Sequence, residues 1–315
     1  MSRAEAPYVL GLDGGGTKTE IALVDPAGRV LRLVAGPGLD PTSGEDWQGR
    51  LAAMVAGMSP VAARLGLPYF SEVPEISEAQ QALATRLLGP CALVRNDVDL
   101  GFEGALGGQE GVLVLSGTGS MAWARGRRGT ARAGGFGDVF GDEGSAHWIG
   151  VQALNLVSRH LDGRWRCAGF AEGLLARLGI SGGELIAWTY GAGASRAEVA
   201  QVARHVASLA DGGEEEARRL LRRAAGELAR LARAAARAAG ADPRHWSHAG
   251  GVLGNPMLRG FLASELGAPP LAPLLPPVGG AALAAARAAG WQTGSDFTGR
   301  LALALREAAE RRERE

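Results

Sequence analysis

The amino-acid sequence predicts an α/β protein with two related lobes, of which the second is richer in helices. Apolar runs alternate with helical segments in the N-terminal third of the chain. A strand, glycine loop, strand pattern near the N-terminus returns after Gly111. Helical spacing then dominates residues 146–239. We expect an N-terminal lobe over 1–110, a C-terminal lobe with helical insertions over 111–290, and a C-terminal helix or tail over 291–315.

Three apolar runs joined by short turns form a predicted β-meander in the first lobe. They span residues 8–12, 20–24 and 30–34. Helical spacing follows over 45–65 and from Glu78 to about Leu88, with PYFSEVPEIS between them unassigned. The strand CALVR then ends at Asn96-Asp97. This order of elements favours an α/β lobe.

The second lobe repeats the meander before it becomes helical. From Gly111 the chain reads GVLVLS, the loop GTGS, MAWAR, a turn and TARAGG. Helices are predicted over 146–161, 170–178, 196–209 and 214–239. A strand in WSHAGGV, a helix near Pro256 and an alanine-rich helix follow. The tail after Arg300 is charged on all sides, so we expect it on the surface.

Composition excludes several classes of function. Thirty-three basic residues balance 33 acidic ones, so no overall field attracts nucleic acid or an anionic membrane. Cys91 and Cys167 match neither a disulfide framework nor a zinc-ligand spacing. No apolar span approaches 18 residues, and the N-terminus lacks a signal-peptide pattern. We therefore expect a cytoplasmic protein without nucleic-acid or membrane partners.

Two loops of glycine and threonine are candidates for phosphate binding. In LDGGGTKT, the glycines let a ligand approach the backbone, and N–H groups and threonine hydroxyls can surround phosphate oxygens. This loop holds Lys18, the only lysine of the chain, and Asp13 would face an accompanying metal ion. An ordinary glycine-rich β-turn is the alternative for one such loop, but the second loop, GTGS, favours phosphate binding.

Asp97 follows a short strand, where a side chain projects beyond the carboxyl edge of a sheet. We consider it the candidate general base that accepts a hydroxyl proton. The alternative is that Asp97 caps the helix that begins near Val98. Asp99, one residue into that helix, is expected to interact with the helix dipole instead.

Six segments in order give the chain a resemblance to a known family. They are LDGGGTKT, RNDVDLGFEGAL, VLSGTGSMAW, GGFGDVFGDEGSAHWIG, HAGGVLGNPML and PPVGGAALAA. The chain resembles the BadF/BadG/BcrA/BcrD ATPase-like family from about Val9 to Gly290. Within that family it is similar to the N-acetylglucosamine kinase branch of the sugar kinase, Hsp70 and actin superfamily. The resemblance implies two ribonuclease-H-like (actin-like ATPase) lobes with a central cleft for ATP and a sugar.

The resemblance implies that the γ-phosphoryl group of ATP is transferred to an amino-sugar hydroxyl. The favoured acceptor is N-acetylglucosamine or a close relative, such as glucosamine or N-acetylmuramic acid. Asp97 would be the catalytic base, and Asp13 would orient Mg²⁺ through water. The implied ATP-binding residues are Gly15, Gly16, Thr17, Lys18, Thr118, Gly119, Gly250, Gly251 and Asn255. The implied sugar-binding residues are Ser120, Gly135, Phe136, Gly137 and Asp142.

For some of these residues an alternative role remains open, and the sugar is not identified. Asp142 could instead cap the helix that begins near Ser145. The expected partner is a small-molecule sugar, and a homodimer is compatible with the resemblance. The chain departs from the kinase branch at Met121 and Leu39, where asparagines are usual, and at Glu72 and Glu75, where small residues are usual. The sugar's identity therefore stays open.

Two rival functions remain. An ATPase activator of a radical dehydratase would hold an iron–sulfur cluster, which requires suitably placed thiolates, and neither cysteine follows a phosphate loop. A non-catalytic ATP- and sugar-binding sensor is the other. Regulators on this fold generally carry a DNA-binding helix-turn-helix, for which we expect no room before the first strand.

Overall fold

The computed structural model describes residues 6–191 and 195–314, with side chains as far as Arg311. The described residues form two compact units. The first unit contains the chain up to Gln109 and again from Ala272 onward, and the second unit contains Glu110–Leu271. Each unit has a sheet with helices packed on it, so the predicted α/β class is confirmed.

The elements of the described residues are numbered in chain order. The strands are β1 (Val9–Gly14), β2 (Lys18–Val24), β3 (Val30–Pro37), β4 (Ala62–Leu67), β5 (Ala92–Asn96), β6 (Gly111–Ser116), β7 (Ser120–Gly126), β8 (Gly129–Gly134) and β9 (Trp246–Ala249). The helices are α1 (Trp47–Val55), α2 (Pro74–Leu88), α3 (Asp97–Leu106), α4 (Ala146–Leu161), α5 (Ala168–Leu178), α6 (Leu185–Tyr190), α7 (Arg196–Asp211), α8 (Glu215–Ala239), α9 (Pro256–Leu266), α10 (Pro277–Ala288) and α11 (Ser295–Arg314).

The first unit has a five-stranded sheet in the order β3-β2-β1-β4-β5. The strands β1, β2 and β3 form the antiparallel meander, while β4 and β5 run parallel to β1. The register pairs Asp13 with Gly66 and Leu67 with Asn96. The carboxyl ends of the three parallel strands therefore lie at one edge of the sheet, where side chains from each can meet.

The predicted helix over 45–65 is wrong in its second half. Helix α1 ends at Val55, and the residues from Ala62 to Leu67 form strand β4. Pro60 cannot extend a helix, because its ring removes a backbone donor and collides with the preceding turn. β4 is a parallel strand with five of its six residues buried, so its apolar residues do not alternate with polar ones. A run of this kind is easily mistaken for a helix.

Residues 272–290 were expected in the second lobe, but they belong to the first unit. Helix α10 lies against α3, where a Cβ on Gly280 would be 2.2 Å from the carbonyl oxygen of Leu100. It also lies against β1, where a Cβ on Gly11 would be 2.3 Å from the amide nitrogen of Ala282. Glycine at both positions permits this close packing, so α10 completes the first unit's core.

The expectation of a tail charged on all sides is also wrong. Helix α11 buries Phe297, Leu301 and Leu305 in a cluster that includes Val9 and Ala22 of the first sheet. Its charged residues occupy the remaining positions of an amphipathic helix. The last helix is therefore part of the first unit's core packing.

The second unit repeats the meander in a four-stranded sheet of order β8-β7-β6-β9. The pairs β6–β7 and β7–β8 are antiparallel, and β9 is parallel to β6. The long helix α8 covers β7 and β8 with buried leucines and alanines, such as Leu221 and Leu228. Its arginines form ion pairs one turn away, as Arg219 does with Glu216. The duplication of the meander is thus confirmed.

The structure gives no membrane anchor within the described part of the chain. No helix there combines the length and apolar character needed to cross a bilayer.

Candidate functional site

The predicted phosphate loop of the first unit connects β1 and β2. The Gly15 amide donates to the Lys18 carbonyl at 2.9 Å, which closes the hairpin, and the Leu39 amide donates to the Gly15 carbonyl at 3.0 Å. A Cβ on Gly38 would be only 2.1 Å from the Gly16 carbonyl oxygen, so glycine is required there. The following chain therefore holds the loop from one side, while Gly16, Thr17 and Lys18 are exposed.

Leu39 is part of the segment that holds this loop, and it is not part of a ligand-binding surface. Its side chain is fully buried in the core of the first unit, together with Leu12, Leu51 and Leu67. A specificity role for Leu39 through direct sugar contact is therefore incompatible with its position. The neighbouring Asp40 accepts hydrogen bonds from the Thr42 amide and hydroxyl, both at 2.7 Å.

Asp13 and Asp97 meet at the carboxyl edge of the first sheet. Asp13 lies near the end of β1, and Asp97 directly follows β5. Strand β4 lies between those strands, where a Cβ on Gly66 would be 3.2 Å from the Asp97 Cα. Burial, together with the Asp97 and Glu20 carboxylates, raises the pKa of Asp13 to about 7, while Lys18 opposes this shift. A carboxylate held among other carboxylates gains most from a nearby cation.

The donor set at this edge fits Mg²⁺ held mainly by water and phosphate. Carboxylate oxygens are the hard ligands that Mg²⁺ prefers, and the ion usually keeps several waters. Among the described residues, no three histidine, cysteine or acidic side chains converge as a complete ligand set. Asp13 would therefore hold the ion with waters and phosphate oxygens as the other ligands.

Asp97 is the first residue of α3, but Asn96 is its N-cap. The Val98 amide donates to Asn96 Oδ1 at 3.0 Å and to Asp97 Oδ1 at 2.9 Å. Asn96 is therefore the N-cap of α3, which was the alternative role for Asp97. The Val98 amide contacts Oδ1 of Asp97 and not Oδ2. Asp99 forms an ion pair with Arg95, with 2.6 Å between Arg95 Nε and Asp99 Oδ2.

The environment of Asp97 suits a general base. Burial raises its pKa to about 6, the Val98 amide opposes the shift and the Glu72 carboxylate adds to it. A carboxylate with this pKa is ionised at neutral pH, yet it is a stronger base than an exposed aspartate. Both properties are needed to take a proton from a hydroxyl group.

In the second unit, the GTGS loop lies against the first turn of α4. The Gly117 carbonyl accepts from the Ala146 amide at 2.8 Å, and the Thr118 carbonyl accepts from the His147 amide at 3.4 Å. Ser145 is the N-cap of α4, since its hydroxyl accepts from the Trp148 amide at 3.1 Å. The backbone of the loop is therefore fixed by the helix, while the Thr118 side chain stays exposed.

A cavity of about 330 Å³ opens beside this loop. Three predicted ATP-binding residues line it: Thr118, Gly251 and Asn255. Its volume lies within the range of small-molecule sites, about 300–1,000 Å³. Asn255 also caps α9, because its Oδ1 accepts from the Leu258 amide at 2.9 Å. The structure thus brings the GTGS loop and the HAGGVLGNPML segment to one concave surface.

Gly250 shapes this surface without lining it. Its φ is +92°, and a Cβ there would be 2.3 Å from the Ser116 carbonyl oxygen. Both constraints require glycine, because an L side chain would be strained and would collide with backbone. Gly250 therefore keeps the end of β9 close to the end of β6.

Helix α7 supplies a wall of the cavity that the sequence did not indicate. The residues concerned are Ala197, Ala200, Gln201, Ala203, Arg204 and Ala207. The alanines recur at helical spacing and leave room beside the helix, while Gln201 and Arg204 are the polar groups. The stripe of alanines was the sequence signal that could have indicated this wall, but such a stripe more often marks close packing between helices.

The predicted sugar-binding residues form a cluster around Asp142. Asp142 has a φ of +56° and is 3% exposed. Its carboxylate accepts from the Ser120 amide at 3.2 Å and from Arg196 at 2.6 Å. The Gly135 amide donates to the Ser120 carbonyl at 3.0 Å. Because Ser145 is the N-cap of α4, the alternative of Asp142 as that cap is wrong.

Arg196 was missed as a functional residue, because the sequence marks it only as the start of a helix. It also lies 3.3 Å from Asp138, so it joins two acids of the segment GGFGDVFGDEGS. In that segment Gly135 and Gly137 have φ of +76° and +85°, and Phe136 is 63% exposed. None of these residues is among those that line the described 330 Å³ cavity.

Comparisons with known proteins agree with these motifs. The model of the BadF/BadG/BcrA/BcrD ATPase family matches residues 10–285. An N-acetylmuramic acid/N-acetylglucosamine kinase of Clostridium acetobutylicum is 28% identical over 236 residues, which are 70% of this chain and 76% of that protein.

Solved structures give the same result. A candidate N-acetylglucosamine kinase from Chromobacterium violaceum has a TM-score of 0.69 and 30% identity, over 88% of this chain and 98% of that one. A candidate N-acetylglucosamine kinase from Porphyromonas gingivalis has a TM-score of 0.65 at 18% identity, over 89% of this chain and 98% of that one. At that identity the second likeness supports the fold alone.

Proposed function

The chain belongs to the BadF/BadG/BcrA/BcrD ATPase family, and from that premise we propose that it is an ATP-dependent sugar kinase. The acceptor is a hydroxyl of an amino sugar, N-acetylglucosamine or a close relative. The names of the Clostridium and Chromobacterium relatives support this substrate class. The single observation that carries the proposal is the placement of Asp13 and Asp97 together at the carboxyl edge of the first sheet, beside a glycine loop.

Asp97 acts as the base in this proposal. As the sugar hydroxyl attacks the γ-phosphorus, its proton passes to the Asp97 carboxylate, the bond to the β,γ-bridging oxygen breaks, and ADP leaves. The pKa of about 6 keeps Asp97 ionised before transfer. Mg²⁺, when bound with ATP, neutralises charge on the phosphates, and Asp13 is the residue that would hold it.

The two glycine loops bind phosphate in this proposal. Gly15, Gly16, Thr17 and Lys18 form one group, and Thr118 and Gly119 form the other, each offering amides and hydroxyls to phosphate oxygens. The adenosine occupies the 330 Å³ cavity, where Gly251 and Asn255 meet helix α7.

The segment around Asp142 contacts the sugar in this proposal. The glycines Gly135 and Gly137 let a ring approach backbone, and Phe136 offers an exposed apolar face. Asp142 acts by fixing Ser120 and the GTGS loop, because its carboxylate already accepts from the Ser120 amide and Arg196.

The rival activator function is disfavoured by the positions of the cysteines. Cys167 is buried in the core of the second unit, and burial raises the pKa of its thiol. The Cys91 thiol lies 3.2 Å from the Leu88 carbonyl and 3.3 Å from the Pro60 carbonyl, before β5 begins. Neither thiol lies at a glycine loop, and an iron–sulfur cluster requires suitably placed thiolates.

The test is ADP release from Mg-ATP in the presence of glucosamine, N-acetylglucosamine, N-acetylmannosamine, N-acetylmuramic acid and glucose. We expect sugar-dependent release that falls about 10²- to 10⁴-fold in Asp97→Asn, the usual contribution of a general base. Asp99→Asn is the matched control, because it removes the same charge two residues away. Sugar-independent release, or full turnover by Asp97→Asn, would refute the proposal. ATP binding without turnover of any sugar would favour the sensor.

A further inference from the structure

Arg204 lies in the middle of the cavity wall that helix α7 provides. Four residues of this wall, Ala197, Ala200, Arg204 and Ala207, recur at intervals of three or four and therefore share one face of the helix. The side chain of Arg204 is exposed, and its neighbours on this face are alanines. Because alanine methyl groups are short, the guanidinium group is the part of this face that can extend over the cavity.

The fold supplies no counter-charge for Arg204. No hydrogen bond or ion pair joins it to another residue that the structure describes. The residues three and four positions away are alanine, glutamine, alanine and serine, so Arg204 lacks the ion pair along the helix that Arg219 forms with Glu216 in α8. None of the described residues that line the cavity is acidic. The guanidinium group can therefore contact a ligand without giving up a contact within the protein.

The position of Arg204 along α7 separates it from the GTGS loop. The first residue of α7, Arg196, lies 2.6 Å from Asp142, which accepts from the Ser120 amide of that loop at 3.2 Å. Arg204 is eight positions farther along the helix. At a rise of 1.5 Å per residue, this is about 12 Å of helix. A nucleotide with its phosphates at the GTGS loop would therefore place its other end, the base, beside Arg204.

A guanidinium group above a row of alanines suits the face of a nucleobase. Guanidinium is planar and weakly hydrated, and it stacks on aromatic faces, where the ring attracts the positive charge. The same unit already contains such a contact, since the Arg222 guanidinium carbon lies 4.7 Å from the centre of the Phe261 ring. The alanine methyl groups of α7 offer an apolar surface for the edge of the same base.

On the basis of the kinase function proposed above, we propose that Arg204 stacks on the base of the bound nucleotide and determines base specificity. Stacking does not distinguish adenine from guanine, because both present a similar aromatic face. The larger purine rings give more stacking contact than pyrimidine rings. Arg204 therefore favours purine over pyrimidine nucleoside triphosphates, and it contributes nothing to the binding of the phosphates.

The experiment measures the dissociation constants of Mg-ATP, Mg-CTP and Mg-tripolyphosphate by calorimetry. In Arg204→Ala we expect ATP binding to weaken about tenfold, a size typical of a base-stacking contact. The preference for ATP over CTP should fall, and the affinity for tripolyphosphate, which has no base, should be unchanged. Arg204→Tyr keeps a planar group without the charge and should retain most of the affinity for ATP. Arg204→Lys keeps the charge without the plane and should not.

Arg166→Ala is the matched control, because Arg166 is exposed in the same unit and is not among the residues that line the described cavity. Its affinity for ATP should equal that of the wild type. Equal weakening of ATP and tripolyphosphate binding in Arg204→Ala, with recovery in Arg204→Lys, would show that Arg204 binds phosphate and would overturn the inference. Unchanged ATP affinity in Arg204→Ala would overturn it too.

The same measurements separate this inference from the proposed function. A wild type that binds ATP through Arg204 but phosphorylates no sugar would refute the kinase function alone. Sugar-dependent ADP release with no effect of Arg204→Ala on any nucleotide would refute the stacking role alone. A wild type that binds no nucleotide would refute both.

Discussion

Asp97→Asn should stabilise the folded protein at neutral pH while it removes activity. Burial raises the pKa of Asp97 from the ordinary 3.8 to about 6, so the folded chain binds a proton more tightly there than the unfolded chain. The neutral carboxyl is favoured in the fold, and the stability it provides is fully present below about pH 4. That stability is lost as the pH rises through about 6, where Asp97 ionises in the folded state.

The size of the effect follows from this shift. Each pKa unit corresponds to about 1.4 kcal/mol, so ionised Asp97 lowers the free energy of unfolding by up to about 3 kcal/mol. Asparagine has the same shape and carries no charge, so it should recover most of that amount above pH 7. Below pH 4 the wild type is itself neutral at this position, and the two proteins should have nearly equal stability.

The assay is urea unfolding of the wild type and Asp97→Asn at several pH values between 4 and 8, without ATP or Mg²⁺. The difference in the free energy of unfolding should grow from near zero to about 2–3 kcal/mol across this range. Asp99→Asn is the control, because its carboxylate is paired with Arg95 and its loss should not stabilise the fold. A difference that is independent of pH, or an Asp97→Asn protein less stable than the wild type at pH 8, would refute the assigned electrostatics.

Two further substitutions test the second unit. Ala200→Leu should fill part of the 330 Å³ cavity and weaken ATP binding at least tenfold by calorimetry, and an unchanged affinity would place the nucleotide elsewhere. A retained melting temperature would exclude misfolding as the cause. Arg196→Ala should lower the free energy of unfolding in urea by about 2 kcal/mol, because it leaves the buried Asp142 carboxylate without its cation. The cost is less than for a fully buried ion pair, because Arg196 is 45% exposed. No loss of stability would show that the pair is not structural.

The duplicated meander could be predicted because its signals are local. In each unit a glycine loop separates two apolar runs, and a short turn leads to the third strand. Asp97 could be placed for the same reason, since a polar pair directly follows an apolar strand. Strand β4 could not be predicted, because its burial on both faces removes the alternation that identifies a strand. The end of the preceding helix was marked by Gly57, which has a φ of +72°, and by Pro60.

The contacts that the sequence did not predict join residues that are distant along the chain. Arg196 meets Asp142 across 54 positions, and Glu72 meets Asn96 across 24. The sequence around Arg196 or Glu72 gives no indication of the partner residue, since an arginine at the start of a helix and a glutamate in a loop are ordinary surface residues. Helix α10 was assigned to the wrong unit for a similar reason, because only the packed structure shows that its glycines contact α3 and β1.

The same meander has different surroundings in the two units, and the difference explains the proposed division of roles. In the first unit the glycine loop adjoins the carboxylates of Asp13 and Asp97, whose raised pKa values suit metal binding and proton transfer. In the second unit the loop is fixed by α4, and the cavity beside it is walled by the alanines of α7. That unit offers space for a ligand and few charges near it. One duplicated motif can therefore serve reaction chemistry in the first unit and nucleotide binding in the second, because the added helices differ.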